Sequence, residues 1–180
     1  IWDSFKLTYR TPTAELVQPV LEEALKGLKL DQPMGKNIFD QASALNTEAE
    51  QAIAAKDGEA MFAVLTKVYD LNAAIIESVA LFEKLQEAVD YLDAATAEAV
   101  NATAKSDALA LCGQINNGII NHDIADEEVE GLMEQMDIAF TKMALPSNID
   151  TASDGNPIEV SLAIKSAGFE KDYESTSYGW

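Results

Sequence analysis

His122 is the single imidazole of the chain, and it stands beside Asp123 in "NNGIINHDI". A zinc centre takes three or four His, Cys or acidic ligands. A nucleophilic relay needs a serine or cysteine held against the imidazole. The neighbourhood of His122 supplies one acid and no second ligand, and no Gly-x-Ser-x-Gly elbow occurs. A solvated loop histidine is the expectation. Cys112, in "ALALCGQINNGI", is the lone cysteine, so it makes no internal disulfide and no Cys-x-x-Cys pair. Its apolar setting points to a buried, inert thiol. The adjacent acids Glu22–Glu23 and Glu127–Glu128 fall on outward helix faces. Hydrolytic carboxylate pairs instead face each other across a cleft. "DTASDG" at 150–155 has two acids and a glycine, short of the ligand set of a calcium loop. There is no Gly-rich phosphate loop. These motifs yield no catalytic residue, no cofactor-binding residue and no metal ligand. The expectation is a protein that is not an enzyme and takes no cofactor.

The charge is lopsided, with 31 acidic residues against 12 basic ones and a net charge of -19. Such a field repels phosphate backbones, so nucleic acid is not an expected partner. Anionic membrane surfaces are disfavoured for the same reason. No stretch approaches the roughly 18 apolar residues of a membrane span. Apolar residues make up 48% of the chain, too many for a disordered tail. The opening "IWDSFKLTYR" lacks the pattern of a secretory signal. A chain beginning at Ile1 is expected to be processed or excised, with any targeting segment lost.

The elements that would carry these residues are mostly helices. Residues 12–30 place Leu16, Val17, Val20, Leu21, Ala24, Leu25 and Leu28 at three-and-four spacing, with Thr11 as a cap and Pro19 as a source of a kink. A second helix is expected over about 37–56, with Ile38, Phe39, Ala42, Leu45, Ala49, Ala52 and Ile53 inward and Gly58 as its stop. From Glu59 to Ala102 there is neither Gly nor Pro. One long helix is predicted there, with an inward stripe of Phe62, Leu65, Tyr69, Asn72, Ile76, Val79, Phe82, Leu85, Val89 and Leu92. A fourth helix is expected over 106–121, with Leu109, Cys112, Ile115 and Ile119 inward. A fifth is expected over 127–145, capped by Asp126 and burying Val129, Leu132, Met133, Met136, Phe140 and Met143. "PSNIDTASDGNP" is linker composition. Short strands are predicted at both ends: Phe5, Leu7 and Tyr9 alternate with Ser4, Lys6 and Thr8, and Ile158, Val160, Leu162 and Ile164 alternate with Glu159, Ser161, Ala163 and Lys165.

The fold class is therefore mainly α: an antiparallel bundle of about five helices with one long shared helix, plus short terminal β-strands. An internal repeat organises it. "PVLEEALKGL" at 19–28 aligns with "EKLQEAVDYL" at 83–92. Phe62, Leu65, Tyr69 and Leu71 align with Val129, Leu132, Met136 and Ile138, so the offset drifts from 64 to 67. Two degenerate three-helix repeats sharing the long helix account for this. The stretch "LFEKLQEAVDYLDAATAEA" (81–99) resembles the FIVAR-like three-helix modules of large secreted bacterial surface proteins.

The ends carry a second resemblance. "PIEVSLAIKSAGFE" followed by Gly179-Trp180 resembles the opening strand of jelly-roll, galactose-binding-like domains in secreted Bacteroidetes proteins. Phe169, Glu170, Gly179 and Trp180 match, while "SAG" replaces Asn-Pro-x. "WDSFKLTY" (2–9) resembles the closing strand of the same domain type. Asp3, Phe5, Leu7 and Tyr9 match there, and Ser4 departs. "DTA" (150–152) resembles the O-glycosylation acceptor triplet of such proteins, with Thr151 as acceptor. "NAT" (101–103) is a formal N-glycosylation sequon.

These resemblances imply four parts: a strand (1–11) ending an upstream sandwich, a helical bundle (12–145), a linker (146–156), and a strand (157–180) opening a downstream sandwich. They imply a secreted or cell-surface bacterial location and neighbouring domains of a longer chain as partners. The expected role is a non-catalytic spacer or interaction module in a glycan-related modular protein. The alternative is a carbohydrate- or protein-binding module, with a glycan or another surface protein as ligand. Both tryptophans, Trp2 and Trp180, lie in the terminal segments, which counts against sugar stacking by the bundle. The terminal strands pair with each other within one chain or exchange between two copies to give a dimer.

Overall fold

A computed structural model describes residues 11–149 and 153–157. The expected strands at 2–9 and from Ile158 onward lie outside the described residues, as does Thr151. Five α-helices follow in chain order: α1 Ala14–Leu25, α2 Lys36–Ala55, α3 Gly58–Ala95, α4 Ala102–Ile120 and α5 Val129–Ala144. The mainly helical class and the long helix expected from the patterning are both present.

Local chemistry explains the boundaries. Thr13, in extended backbone, occupies the position before α1, and its carbonyl accepts from the Leu16 and Val17 amides. The helix thus starts two residues later than Pro12. Pro19 sits inside α1 on its exposed side, where solvent reaches the carbonyl its ring cannot serve. Lys56 closes α2 in the left-handed region (φ 55°), with its amide donating to Ala52 and Ile53 carbonyls. Gly58 does not stop α2, as its type suggests; it opens α3. Asp57 supplies that start, its Oδ1 accepting from the Ala60 amide at 3.0 Å. Gly58 is needed for another reason. A Cβ there would lie 2.3 Å from the Pro12 carbonyl oxygen and 2.7 Å from the Thr13 carbonyl carbon, all fixed backbone.

The chain divides into two compact units, Ile1–Ala80 and Leu81–Trp180. The boundary falls inside α3, so each unit holds three helical segments. In the first unit α2 runs antiparallel to α3: Gln41 lines one groove with Leu71, and Glu48 meets Lys67. Leu21, Leu28, Met34, Ala42, Met61 and Ile75 form the dry centre of its core. The loop before α2 is pinned from inside. The Gly35 amide donates to the buried Ser78 Oγ at 2.8 Å, so a polar group in the core is satisfied.

In the second unit α4 runs antiparallel to the end of α3. Gln86 Nε2 donates to Asn116 Oδ1 at 3.0 Å, and the Cys112 thiol points at the Val89 carbonyl at 3.8 Å. Phe82, Leu85, Val89, Leu92, Val129 and Met143 centre this core. Tyr91 stacks on Phe140 at 5.8 Å between ring centres, tying α5 to α3. The Met143 carbonyl accepts from the Val100 and Asn101 amides, which fastens the turn after α3 to the end of α5. Asn101 caps α4, its Oδ1 accepting from the Ala104 amide at 3.1 Å.

The inward stripe predicted for α3 is half right. Leu65, Val79, Phe82, Leu85, Val89 and Leu92 are buried, whereas Phe62, Tyr69, Asn72 and Ile76 are exposed. Met61, Val64, Val68 and Ile75 take the core in their place. The two stripes are neighbours, one residue or about 100° apart on the helix, and both are apolar. Packing against α1 and α2 chose between them. Leu16, Val20 and Leu109 are likewise exposed, and Ala108 is buried instead of Leu109. Leu132 and Met133 are partly buried against the second core.

The burial pattern recurs between the units. Leu21 and Leu28 match Leu85 and Leu92 at the expected offset of 64, and all four are buried. For the third helical segments, Met61, Val68 and Ile75 match Val129, Met136 and Met143 at an offset of 68. The alignment of Phe62 and Tyr69 with Val129 and Met136 sets exposed residues against buried ones, so it is one residue out of register.

Two glycine substitutions separate packing from helix propensity. Gly58→Ala forces helix backbone apart and is expected to destabilise by about 1–3 kcal/mol. Gly113→Ala, in α4 with nothing within 4 Å of the new Cβ, is expected to stabilise by up to about 1 kcal/mol. Urea denaturation followed by circular dichroism reads both signs.

Candidate functional site

A groove runs between α2 and α3 in the first unit. Small side chains make it: Ala52, Ala55, Ala60 and Ala63 leave room that longer residues would fill. Glu48 and Lys67 cross it with an ion pair at 2.6 Å. On one side of this pair lies a space of about 440 Å³ lined by Gln41, Ala44, Leu45, Asp70 and Leu71. On the other lies a space of about 420 Å³ floored by the alanines and Val64. Both partners of the ion pair are about half exposed, so the pair contributes between 0 and about 1 kcal/mol. The groove offers the Lys67 ammonium, the carboxylates of Glu48, Asp57 and Asp70, and the amides of Gln41 and Gln51 along an alanine floor. That set can hydrogen-bond a polar ligand. It pairs no nucleophile with a base.

The residues singled out by type fall apart in space or take structural roles. His122 is a chain-reversing residue. It adopts the left-handed conformation (φ 53°) just past α4. The His122 amide donates to the Ile119 carbonyl and the Asp123 amide donates to the Gly118 carbonyl, the paired bonds that end a helix. Ile124 then folds back over Gly118, where a Cβ would lie 2.7 Å from its side chain. Asp126 does not occupy the cap position before the next turn; it is the first residue of a 3-10 turn, Asp126–Glu128, that leads into α5. The reaching carboxylate is that of Glu128, which accepts from the Ala125 amide at 2.8 Å. Glu22 and Glu23 are exposed on α1, and Glu127 and Glu128 are exposed before α5. Asp154 is exposed in a tight turn closed by Ser153 and Asn156, which exchange backbone hydrogen bonds. Asn101, the residue of the formal sequon, is engaged as the α4 cap.

Cys112 is buried, as its apolar neighbours suggest. Burial raises its pKa above the ordinary 9.0, and the carboxylate of Asp93, with that of Asp90, pushes the same way; a hydrogen bond that the sulfur accepts from the backbone amide of Cys112 opposes them. The thiol is held neutral and away from reagents, the opposite of an activated nucleophile. Among the described residues no group of three or more His, Cys, Asp or Glu side chains is placed to hold a metal ion. No described helix is long and apolar enough to cross a membrane. The Gln86–Asn116 bridge has no signature in the sequence, because two amides 30 residues apart share no spacing pattern.

Comparison with protein-family models, with curated proteins and with solved structures finds no match.

The state of Cys112 is open to direct measurement. Its labelling by a disulfide reagent at neutral pH is expected to be at least about 10³-fold slower in the folded protein than in urea, since access requires opening the core. A raised folded pKa gives stability that is complete below the unfolded thiol pKa and is lost as pH rises through the folded one. Stability is therefore expected to fall above about pH 9 in part through this group. Cys112→Ala is expected to flatten that alkaline loss.

Proposed function

We propose that this chain is a non-catalytic helical spacer of a secreted or cell-surface modular protein, with its terminal segments belonging to flanking sandwich-like domains. The observation that carries the reading is α3. One helix of 38 residues gives consecutive stretches of its buried face to two separate cores. An unbroken ladder of backbone hydrogen bonds then runs across the boundary between the units. A linker of loop composition would let the units move independently. A shared helix makes the boundary a structural element in its own right.

The acidic surface supports the same role, since a strong net charge favours solubility of a long modular chain. The FIVAR-like character of residues 81–99 and the sandwich-like ends extend the proposal to glycan-related surface proteins. A second reading, a binding module, draws on exposed apolar residues in the first unit, such as Leu16 and Tyr69.

Ala80 is exposed at the boundary and lies well inside α3. Ala80→Pro removes one backbone donor and sets the ring against the Ile76 carbonyl, at a cost of about 3 kcal/mol or more. Calorimetry of the unaltered chain is expected to show one cooperative transition, and the variant two. Two independent transitions in both proteins would mean that α3 does not couple the cores, and the spacer reading would fail. A saturable isotherm with a soluble oligosaccharide, lost on altering a groove residue such as Gln41, would favour the binding module instead.

A further inference from the structure

The first unit has an apolar face that its own helices do not cover. Gly58 lies against Pro12 and Thr13, and a Cβ at Gly27 would lie 3.3 Å from Asn72 Oδ1. These two contacts set α1 beside α3, running in the same direction. They also fix which strips of each helix border the seam. Along α1 and its two flanks the strip runs Thr13, Leu16, Val20, Glu23 and, in the 3-10 turn Lys26–Leu28, Gly27; on α3 it runs Gly58, Phe62, Leu65, Tyr69, Asn72, Ile76. Each advances by alternating steps of three and four, the spacing of one helix face.

Five large apolar residues on these strips are open to solvent: Leu16 is 67% exposed, Val20 46%, Phe62 50%, Tyr69 60% and Ile76 50%. Single exposed apolar residues are ordinary, but a contiguous row marks an interaction surface. Phe62, Tyr69 and Ile76 recur every seven residues, two helical turns apart. That repeat matches the knobs of an incoming helix, whose own apolar residues recur by heptads. The rim is acidic. Glu59, Asp70 and Glu77 are exposed on α3 and Glu23 on α1, while Lys26, one residue before Gly27, is already paired with Glu23.

We propose that the α1/α3 face of the first unit docks a basic amphipathic helix of a partner protein. Charge selects this occupant. A second copy of this chain would bring its own acidic rim against the first, which like-charge repulsion disfavours. A cationic helix instead meets apolar residues along its centre and carboxylates along its edges. The proposal goes beyond the spacer role and is tested separately from it, at Phe62 and Tyr69, about five and three helical turns before Ala80 respectively.

The test uses the full chain and a model peptide of about three heptads, with Leu at the two seam positions and Lys elsewhere. A control peptide carries the same lysines with Gln in place of Leu. Fluorescence anisotropy at two salt concentrations measures binding. The Leu/Lys peptide is expected to bind, and Phe62→Ser/Tyr69→Ser is expected to weaken it at least about tenfold, a change of roughly 1.4 kcal/mol. Both sites are exposed, so the circular dichroism of the variant should match the parent. Ile138→Ser, which removes an exposed apolar residue in the second unit, is expected to leave binding unchanged. Equal binding of the Gln control peptide, or no weakening in the double variant, would overturn the proposal. So would light scattering that shows a dimer of the unaltered chain dispersed by the double variant, because a second copy would then be the occupant.

Discussion

Burial of α3 on both sides of its midpoint is the constraint from which the other helices take their places. Met61, Val64, Val68 and Ile75 need cover in one unit, and Phe82, Leu85, Val89 and Leu92 need it in the other. Neither set can be dry on an isolated helix, which has solvent on every side. Two further helices per unit supply the walls. The magnitudes leave little room for another organiser. The ion pairs Lys26–Glu23, Lys36–Asp40 and Lys67–Glu48 are each about half exposed or more, contributing at most about 1 kcal/mol each. A fully buried Leu or Phe contributes about 1.5–3 kcal/mol, and among the described residues eleven large side chains are almost wholly out of water.

Once packing sets the helices, a few polar contacts fix their connections. Ser78 reaches out of the first core to the Gly35 amide, Asp57 starts α3, and Asn101 starts α4. Each answers a backbone group that would otherwise be buried or orphaned. The chain reverses at Lys29, Lys56 and His122, each in the left-handed region. None is the glycine that such a position favours, so each costs some stability. The single histidine is thus understood through the backbone: it ends α4, and its imidazole need not do chemistry to account for where it lies.

One helix, α3, is shared between two cores. Its surface is left to serve the outside of the molecule, and there the two units of sequence information differ. Acidic residues keep the surface hydrated, while the row of Phe62, Tyr69 and Ile76 does not. The alanines of α2 and α3 leave the groove beside Glu48 and Lys67.

The sequence by itself determined the helical class, the absence of breaks from Glu59 onward that makes α3 long, the buried state of Cys112, and most of the second core. Period and composition carry these, because hydrophobic spacing reports a buried face wherever a helix has one apolar stripe. Only the tertiary structure decided which of two adjacent apolar stripes on the first half of α3 faces inward, that Gly58 is demanded by the backbone of α1, and that His122 closes a helix. Those answers depend on neighbours far away in the chain. Phe62 and Met61 look alike to a periodicity argument. They differ only in which has α1 and α2 packed against it.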